Sequence, residues 1–397
     1  MSEWKKCAIG ELVTLRQGFA INAKSKHYIS KEQTSLPLLR IADMKSGSRE
    51  IFVKEDIPQN FIATPQDLVY TRTGNVGLVF RNNYGIVHNN CFTVTPNDES
   101  VLSRDFLYFL LQSQYFFEKA NSLARGAAQP DLPHSLFNSI EISYPRLDTQ
   151  NSIASILSRY DSLIENYQKQ IKLLEEAAQR LYKEWFIDLR FPGHENTKIV
   201  DGVPEGWEKK KLGDVSKTTS GGTPSRTNNS FYSGSIMWAK TKELCDGFIF
   251  NTEEKITEEA IKKSSAKIVP AGSILMAMYG ATIGKLGIAT KDLTCNQACC
   301  VFLISEDNPL RWYIFNWLLQ NRNFLISQGK GAAQPNLSQD MIKGFELIIP
   351  DDKSLRGYHL LINPIYLNIK SLQFQICQLT EARDRLLPKL MNGEIEV

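Results

Sequence analysis

The pentapeptide Gly126-Ala127-Ala128-Gln129-Pro130 occurs a second time as Gly331-Ala332-Ala333-Gln334-Pro335, 205 residues further along the chain. Other landmarks recur at nearly the same distance: Trp4 and Trp207, Gly10 and Gly213, Asn89 and Asn296, and Pro145 and Pro350. Two tandem copies of one unit predict a pseudo-symmetric protein with two related surfaces. Such a protein is suited to a target that itself has two parts.

The composition is that of a folded protein, with 42% hydrophobic and 22% charged residues in a chain of 397. This length predicts two or three domains. A net charge of +3 permits nucleic-acid binding without requiring it. The seven cysteines are irregularly spaced, and neither a signal peptide nor a bilayer-spanning apolar run is visible. We therefore expect a cytoplasmic protein with reduced thiols.

Each copy is predicted to consist of a mixed α/β globular part followed by a long helix. Short apolar runs bounded by turn residues predict strands at residues 36–41, 68–70, 140–144, 273–278, 301–304 and 345–349. Aromatic-rich apolar runs predict helices at residues 106–120 and 312–320.

The long helices carry the most regular pattern in the sequence, an apolar residue at alternating steps of three and four. The positions of this stripe are Ile153, Leu157, Tyr160, Ile164, Tyr167, Ile171, Leu174 and Leu181 in the first helix, and Ile365, Ile369, Leu372, Ile376, Leu379 and Leu386 in the second. Arg383 interrupts the second stripe. A sustained repeat of this kind predicts a coiled-coil seam. Pro364 predicts a kink in the second helix or a start delayed to that residue.

Chain connectivity fixes the direction of the two helices. The first leads from the first globular part to the second, so a second helix that packs on it must run antiparallel. Roughly 35 helical residues would make a rod on the order of 50 Å long. The predicted fold is therefore an α/β (α+β) pseudo-two-fold tandem repeat, joined by two long antiparallel coiled-coil helices. Its segments are a domain at 1–147, a helix at 148–190, a domain at 191–351 and a helix at 352–397.

Strings that resemble catalytic motifs are incomplete. Gly280-Ala281-Thr282-Ile283-Gly284-Lys285-Leu286 lacks the glycine spacing and the Ser or Thr of a phosphate-binding loop. Asn363-Pro364-Ile365-Tyr366 lacks the second proline of an adenine-binding methyltransferase loop, and Pro350-Asp351-Asp352-Lys353 lacks the downstream residues of a nuclease. The cysteines and histidines do not have zinc-ligand spacing. The sequence thus predicts no catalytic residue and no metal site, and favours a recognition subunit whose chemistry belongs to a partner.

Several strings, taken in order along the chain, resemble the specificity subunits of type I restriction-modification systems. They are Ser220-Gly221-Gly222-Thr223-Pro224-Ser225, Ile236-Met237-Trp238-Ala239-Lys240, Tyr279-Gly280-Ala281-Thr282-Ile283-Gly284-Lys285, Asn296-Gln297-Ala298, Gly331-Ala332-Ala333-Gln334-Pro335-Asn336-Leu337, and the ending Leu386-Leu387-Pro388-Lys389-Leu390-Met391-Asn392-Gly393-Glu394-Ile395. The first copy departs from them, with Thr71-Arg72-Thr73-Gly74-Asn75-Val76-Gly77 in place of the third.

The resemblance implies a non-catalytic subunit with two target recognition domains, each reading one half of a bipartite, asymmetric site in double-stranded DNA. It implies that the helices set the gap between the halves and dock two methyltransferase subunits, which modify adenine N6 with S-adenosylmethionine. Restriction subunits that use ATP and Mg²⁺ would join that complex. No cofactor is expected on this chain itself.

DNA recognition requires cationic and amide side chains on loops, where arginine suits guanine edges and Asn or Gln suits adenine edges. The candidates in the first domain are Arg16, Gln17, Arg40, Lys45, Arg72, Asn75, Arg81, Arg125 and Gln129. Those in the second domain are Lys217, Arg226, Asn228, Lys240, Lys242, Tyr279, Lys285, Lys330 and Gln334. Arg40 and Lys240 correspond across the repeat.

Two alternatives belong to other functional classes. A coiled-coil adaptor that binds only proteins would show no DNA affinity, whereas a DNA reader should bind with an affinity that falls steeply with salt. An autonomous methyltransferase or nuclease is disfavoured by the incomplete motifs, and would act on DNA without a partner.

Overall fold

The structure is a computed structural model that describes residues 4–126, 128–329 and 336–397. The chain forms two compact units, the first made of Met1–Ile164 with Gln378–Val397 and the second of Glu165–Cys377. Each unit thus combines one globular part with a segment of each long helix. The four segments predicted along the chain divide it differently, and their boundaries stay a prediction.

The first unit contains three sheets. Its strands are β1 (Lys5–Ala8), β2 (Val13–Gln17), β3 (Ile29–Ser30), β4 (Leu36–Leu39), β5 (Phe52–Val53), β6 (Ile62–Ala63), β7 (Leu68–Thr71), β8 (Val79–Phe80), β9 (Gly85–Val87), β10 (Cys91–Pro96) and β11 (Glu141–Tyr144). Its helices are α1 (Ile41–Ser46), α2 (Arg104–Gln112), α3 (Gln114–Leu123), α4 (His134–Asn138) and the start of α5 (Leu147–Phe186). The sheet orders are β1-β11, β2-β10-β7-β8 and β3-β5-β4-β9-β6, with β4 parallel to β9.

The second unit repeats this topology. Its strands are β12 (Ile199–Val200), β13 (Val203–Pro204), β14 (Glu208–Lys211), β15 (Thr218–Ser220), β16 (Ile236–Ala239), β17 (Gly247–Ile249), β18 (Lys255–Ile256), β19 (Ile274–Ala277), β20 (Leu286–Ala289), β21 (Thr294–Cys295), β22 (Cys299–Phe302) and β23 (Glu346–Ile349). Its helices are α6 (Leu212–Val215), α7 (Glu258–Lys262), α8 (Leu310–Gln320), α9 (Arg322–Ser327), α10 (Gln339–Gly344) and most of α11 (Asp352–Met391). β14 pairs with β23 as β1 does with β11, β15-β22-β19-β20 matches β2-β10-β7-β8, and β16 is parallel to β21. The predicted α/β tandem repeat is confirmed.

Two helix predictions are corrected. The predicted helix at 106–120 is divided into α2 and α3 at Ser113, whose hydroxyl donates to the Leu110 carbonyl (2.7 Å) and accepts the Phe116 N–H (3.3 Å). A serine in this position caps the second helix. The delayed start at Pro364 is also wrong, because α11 begins at Asp352, where the Asp351 carboxylate accepts the Ser354 N–H at 2.7 Å.

The seam positions are all buried or half-buried, and within each unit α5 and α11 pack antiparallel. In the first unit Ile153 and Asn392 line the same cavity, and Asp161 bonds to Arg383. In the second, the rings of Trp185 and Tyr358 are 5.9 Å apart. Increasing numbers on one helix therefore face decreasing numbers on the other, as connectivity predicted.

The interruption of the stripe at Arg383 is compensated by a carboxylate. Asp161 on α5 accepts hydrogen bonds from Arg383 (2.8 Å) and from Arg81 (2.9 Å), and its side chain is only 7% exposed. The Arg81 guanidinium also lies 4.3 Å from the centre of the Tyr108 ring. These three residues form the Asp161 triad, which ties the globular part of the first unit to both helices.

The cysteines are free thiols, and Cys295, Cys299 and Cys300 are buried on β21 and β22. Across the described ranges, no group of three His, Cys, Asp or Glu side chains is placed to hold a metal ion. None of the helices in those ranges has both the length and the apolar character needed to cross a membrane.

Candidate nucleic-acid interface

In the first unit, loops that carry predicted contact residues meet at the ends of the strands. The Arg72 N–H donates to the Asn90 carbonyl (2.8 Å), and the Gly74 N–H donates to the Pro130 carbonyl (2.8 Å). The Arg125 N–H donates to the Asp131 carbonyl, also at 2.8 Å. We call the segments joined in this way, namely Gln17, residues 72–77, 88–90, 125, 126 and 128–131, the first loop face.

The carboxylate of Asp131 organises the side chains of this face. It accepts hydrogen bonds from the Arg72 guanidinium (2.7 and 3.1 Å) and from the Thr73 hydroxyl (2.6 Å). Arg72 also donates to the Gln17 side chain at 2.8 Å, and Gln17 donates to the Asn89 carbonyl at 2.9 Å. The bonds from Arg72 and Thr73 lower the pKa of Asp131. The network fixes Arg72 and Gln17 in one orientation.

Three predicted contact residues of this face remain available to a ligand. The side chains of Asn75, Arg125 and Gln129 are exposed and make no hydrogen bond or ion pair within the described part of the chain. An arginine and two amides are the side chains that pair with guanine and adenine edges in the major groove. The first loop face can therefore offer both base-reading and phosphate-binding groups.

The second unit repeats the backbone arrangement. The Met278 N–H donates to the Ala298 carbonyl (2.8 Å), as Arg72 does to Asn90, and the Leu337 N–H donates to the Met278 carbonyl (2.8 Å), as Leu132 does to Arg72 (3.0 Å). The second loop face comprises residues 220–222, 240–242, 278–285 and 296–298. Two predicted contact residues, Lys330 and Gln334, lie outside the described residues.

A glycine permits close packing at the same point of both faces. A Cβ atom on Gly18 would lie 2.3 Å from the His88 carbonyl oxygen, and one on Gly221 would lie 2.1 Å from that of Cys295. Neither distance is compatible with a side chain, so only glycine lets the ends of β2 and β15 approach the neighbouring loop. The repeat is thus maintained by backbone geometry.

Most of the cations predicted to contact DNA in the second unit are engaged by carboxylates. Arg226 pairs with Glu254 (2.7 Å), Lys240 pairs with Glu254 (2.6 Å) and Glu253 (3.1 Å), and Lys242 pairs with Glu253. The pKa of Lys240 is raised, chiefly by its hydrogen bond to Glu254.

The glycine-containing loop at residues 278–285 of the second face is held by a separate group of ionic contacts. Lys285 pairs with Asp246 at 2.8 Å, and Arg322 on α9 bonds to the same carboxylate and to the Gly284 carbonyl at 3.0 Å. Lys285 therefore helps to hold the loop that carries it.

Comparison with known proteins identifies the family. Residues 1–176 and 204–354 match the family described as "Type I restriction modification DNA specificity domain". The type I restriction enzyme MjaIX specificity subunit of Methanocaldococcus jannaschii is 30% identical over 325 residues, 79% of this chain and 75% of that protein. This chain belongs to the type I restriction-modification DNA specificity family. The HindI specificity subunit of Haemophilus influenzae is 24% identical over the full length of both chains.

The fold of the specificity family is also seen in a solved structure. The S subunit of a type I restriction-modification system from M. genitalium aligns with a TM-score of 0.62 at 16% identity, over 98% of this chain and 96% of that one. At this identity the likeness concerns the fold alone. It agrees with the two tandem α/β domains and the two long helices.

For this specificity protein, the remaining predicted DNA contacts fall into two groups. Some are held by intramolecular bonds: Arg16 by Asp67 (2.7 Å), Arg40 by Asp43 (2.7 Å) and Glu50 (2.6 Å), Arg81 by Asp161 (2.9 Å), and Asn228 as acceptor of the Ser230 N–H (3.2 Å). Lys45 and Lys217 are exposed and form no ion pair with other described residues, and Tyr279 is half-buried. All of these assignments stay predictions.

Acidic residues of the specificity domains were not among the predicted site residues. Asp131, Asp246 and Glu253 organise the faces, yet a search for cations and amides passes over carboxylates. Gln297 was also missed as a contact candidate; it is exposed and accepts a hydrogen bond from the Thr223 hydroxyl. The repeat of Asn89 at Asn296 was the available signal, because it marks this loop in both copies.

Acidification should weaken the first loop face through His88. Burial and, next, the neighbouring Arg40 lower the pKa of His88, whose Nδ1 accepts the Asn90 N–H at 3.3 Å. A lowered pKa gives stability that is complete above the ordinary value of about 6.5 and is lost as pH falls through the lowered value. We expect the urea midpoint of the wild type to fall between about pH 7 and pH 5 more than that of His88→Gln.

The comparison isolates His88, because His134, whose pKa is also lowered by burial, remains in both proteins. Identical pH dependence of the two midpoints would contradict the assignment.

Proposed function

We propose that this chain is the DNA-sequence specificity subunit of a type I restriction-modification complex and binds a bipartite, asymmetric site, one half per loop face. The supporting observation is that the two faces share their backbone hydrogen bonds but differ in their side chains. Arg72 and Met278 occupy corresponding positions and receive equivalent bonds from Leu132 and Leu337. A common frame with different side chains is what two half-sites of different sequence require.

Within the first face, we assign base reading to the exposed side chains. Asn75 and Gln129 have amides that suit adenine, and Arg125 has a guanidinium that suits guanine. Lys45 and Lys217, which form no ion pair with other described residues, are assigned to phosphates. Arg72 and Gln17 bond to each other, so their contribution depends on the Asp131 network.

The long helices are proposed to set the gap between the half-sites and to dock two methyltransferase subunits. A second apolar stripe outside the seam supports docking, because Leu360, Leu367 and Phe374 are 74%, 52% and 46% exposed. They are spaced by seven residues on α11, which is the spacing that a helical partner reads. Exposed apolar side chains in a row mark a protein-binding surface.

Catalysis is proposed to belong to the partners. Methyltransferase subunits would carry S-adenosylmethionine and modify adenine N6, and restriction subunits would carry ATP and Mg²⁺. This chain would act in the cytoplasm, without a cofactor or catalytic residue of its own. Incubation of the purified chain with DNA and S-adenosylmethionine should therefore transfer no methyl group, and transfer by the chain alone would contradict the assignment.

The decisive experiment is co-expression with the methyltransferase subunits, followed by mapping of the modified adenines. We expect one bipartite motif, and we expect deletion of one heptad from both helices to change its gap while each half stays the same. Because each half is read by a separate face, only the distance between them should respond. A motif in one piece, or a gap unchanged by the deletion, would contradict the proposal.

A further inference from the structure

A cation at the end of a strand is held by two carboxylates in the first unit. Arg40 follows β4, and its guanidinium donates from Nε and Nη2 to Asp43 (2.7 Å each) and from Nη2 to Glu50 (2.6 Å). Asp43 is buried, with 1% of its surface exposed, whereas the side chain of Glu50 is 67% exposed. The inner carboxylate thus fixes the guanidinium, and the outer one adds a negative charge at the surface.

The second unit has the same arrangement with different residues. Lys240 follows β16, and its ammonium group donates to Glu254 (2.6 Å) and to Glu253 (3.1 Å). Glu253 also pairs with Lys242, and its side chain is 59% exposed. An inner and an outer carboxylate therefore occur in both units.

The first arrangement lies beside the first loop face, and the second lies within the second loop face. The His88 N–H donates to the Leu39 carbonyl at 3.4 Å, and the Asn296 N–H donates to the Ala239 carbonyl at 2.9 Å. Arg40 and Lys240, each one residue further, are therefore adjacent to the Asn89 and Asn296 loops.

Fold stability does not explain why Glu50 and Glu253, the two exposed outer carboxylates, are present. Exposed ion pairs contribute little to folding, because water and salt screen them and long side chains lose entropy. On a surface that approaches a polyanion, each carboxylate instead neutralises a cation and repels phosphates. The effect applies to every duplex, whatever its sequence.

We propose, on the basis of the DNA-binding function proposed above, that Glu253 and Glu50 limit the retention of this protein on non-cognate DNA. They pair with the strand-end cations and so reduce the charge offered to any phosphate backbone. Non-specific affinity is almost entirely electrostatic, and the genome supplies a vast excess of competing sites. A protein whose cations were all unpaired would be held at those sites.

The change expected from one carboxylate can be estimated. One additional phosphate contact steepens the dependence of log K on log salt by about 0.9. At about 0.1 M salt this corresponds to roughly eightfold tighter binding. We therefore expect Glu253→Gln to bind a random-sequence duplex about eightfold more tightly than the wild type, with that steeper slope.

The matched control is Glu258→Gln in α7 of the same unit. Glu258 is exposed and forms no ion pair with any residue in the described ranges, so its substitution changes the net charge equally. Full-length proteins would be titrated with a fluorescent random-sequence duplex over a range of salt concentrations. Equal affinities and slopes for Glu253→Gln and Glu258→Gln would overturn the proposal. A wild type that shows no salt-dependent binding would overturn the proposed function itself.

A second variant tests the first unit. Glu50→Gln should shift affinity and slope in the same direction but less, because Asp43 still binds the Arg40 guanidinium through two hydrogen bonds. Glu99→Gln, at an exposed position without an ion pair to described residues, is its control. A response no larger than that of Glu99→Gln would remove Glu50 from the proposal.

Discussion

Replacement of Asp161 by alanine is expected to lower the free energy of unfolding of the first unit by about 3–5 kcal/mol. Asp161 is the carboxylate between Arg81 and Arg383, whose side chains are only 16% and 23% exposed. Without it, the Arg81 guanidinium would lose its ion pair, and Arg383 would keep only its pair with the exposed Asp384. Breaking a buried ion pair by removing one partner costs more than the pair contributes, because a buried charge remains unpaired.

Urea unfolding followed by far-ultraviolet circular dichroism would measure this loss. The control is Glu381→Ala on α11, which removes an exposed ion pair with Arg385 and should cost less than about 1 kcal/mol. A combined replacement of Asp161 by Leu, Arg81 by Met and Arg383 by Leu should recover most of the lost stability, since apolar packing can replace a buried triad. Equal losses for Asp161→Ala and Glu381→Ala would show that the triad is well hydrated.

The Asp161 triad also explains why Arg81 is a poor candidate for DNA contact. Its guanidinium is engaged by Asp161 and lies over the Tyr108 ring, so reaching a phosphate would break a contact between the globular part and α5. Substitutions at Arg81 should therefore act on the stability of the first unit. The triad also explains why an arginine, Arg383, occupies a position of the apolar stripe, because its guanidinium bonds to Asp161.

The repeat, most strands and both long helices could be predicted because their signals are local. Steps of three and four identify the α5 and α11 stripe without knowledge of any distant contact. The break at Ser113 was missed because its signal is a single hydroxyl in a short polar segment between two apolar runs. The delayed start at Pro364, one of the two alternatives for that proline, was wrong because it did not take account of the capping carboxylate of Asp351.

The ion pairs of the candidate site could not be predicted, because the two residues of each pair are distant in sequence. Arg72 meets Asp131 across 59 positions, and Arg81 meets Asp161 across 80. A sequence shows which side chains are cationic, but not which of them already have a counter-ion. The exposed Arg125 and the ion-paired Arg81 are therefore indistinguishable in the sequence.

Replacement of Asp131 by alanine is expected to weaken binding of the cognate duplex about 10- to 100-fold, although it makes the protein more cationic. The side chain accepts three hydrogen bonds, two from Arg72 and one from Thr73. Hydrogen bonds to charged groups contribute about 1.5–3 kcal/mol each, so their loss should free the Arg72–Gln17 pair and residues 125, 126 and 128–131. If Asp131 acted only through its negative charge, its removal would instead tighten the binding of the duplex.

Weaker binding by Asp131→Ala would therefore indicate that Asp131 positions the loops, whereas tighter binding would indicate that it only neutralises positive charge. The complex with methyltransferase subunits would be titrated with duplexes that carry both half-sites, or only one of them. We expect Asp131→Ala to lose the contribution of the half-site read by the first face and to keep that of the other. The control is Asp98→Ala, which removes an exposed carboxylate that accepts hydrogen bonds from Ser100, outside the loop face. Because Asp98→Ala changes the charge equally, tighter cognate binding by both variants would show that Asp131 acts only as a negative charge.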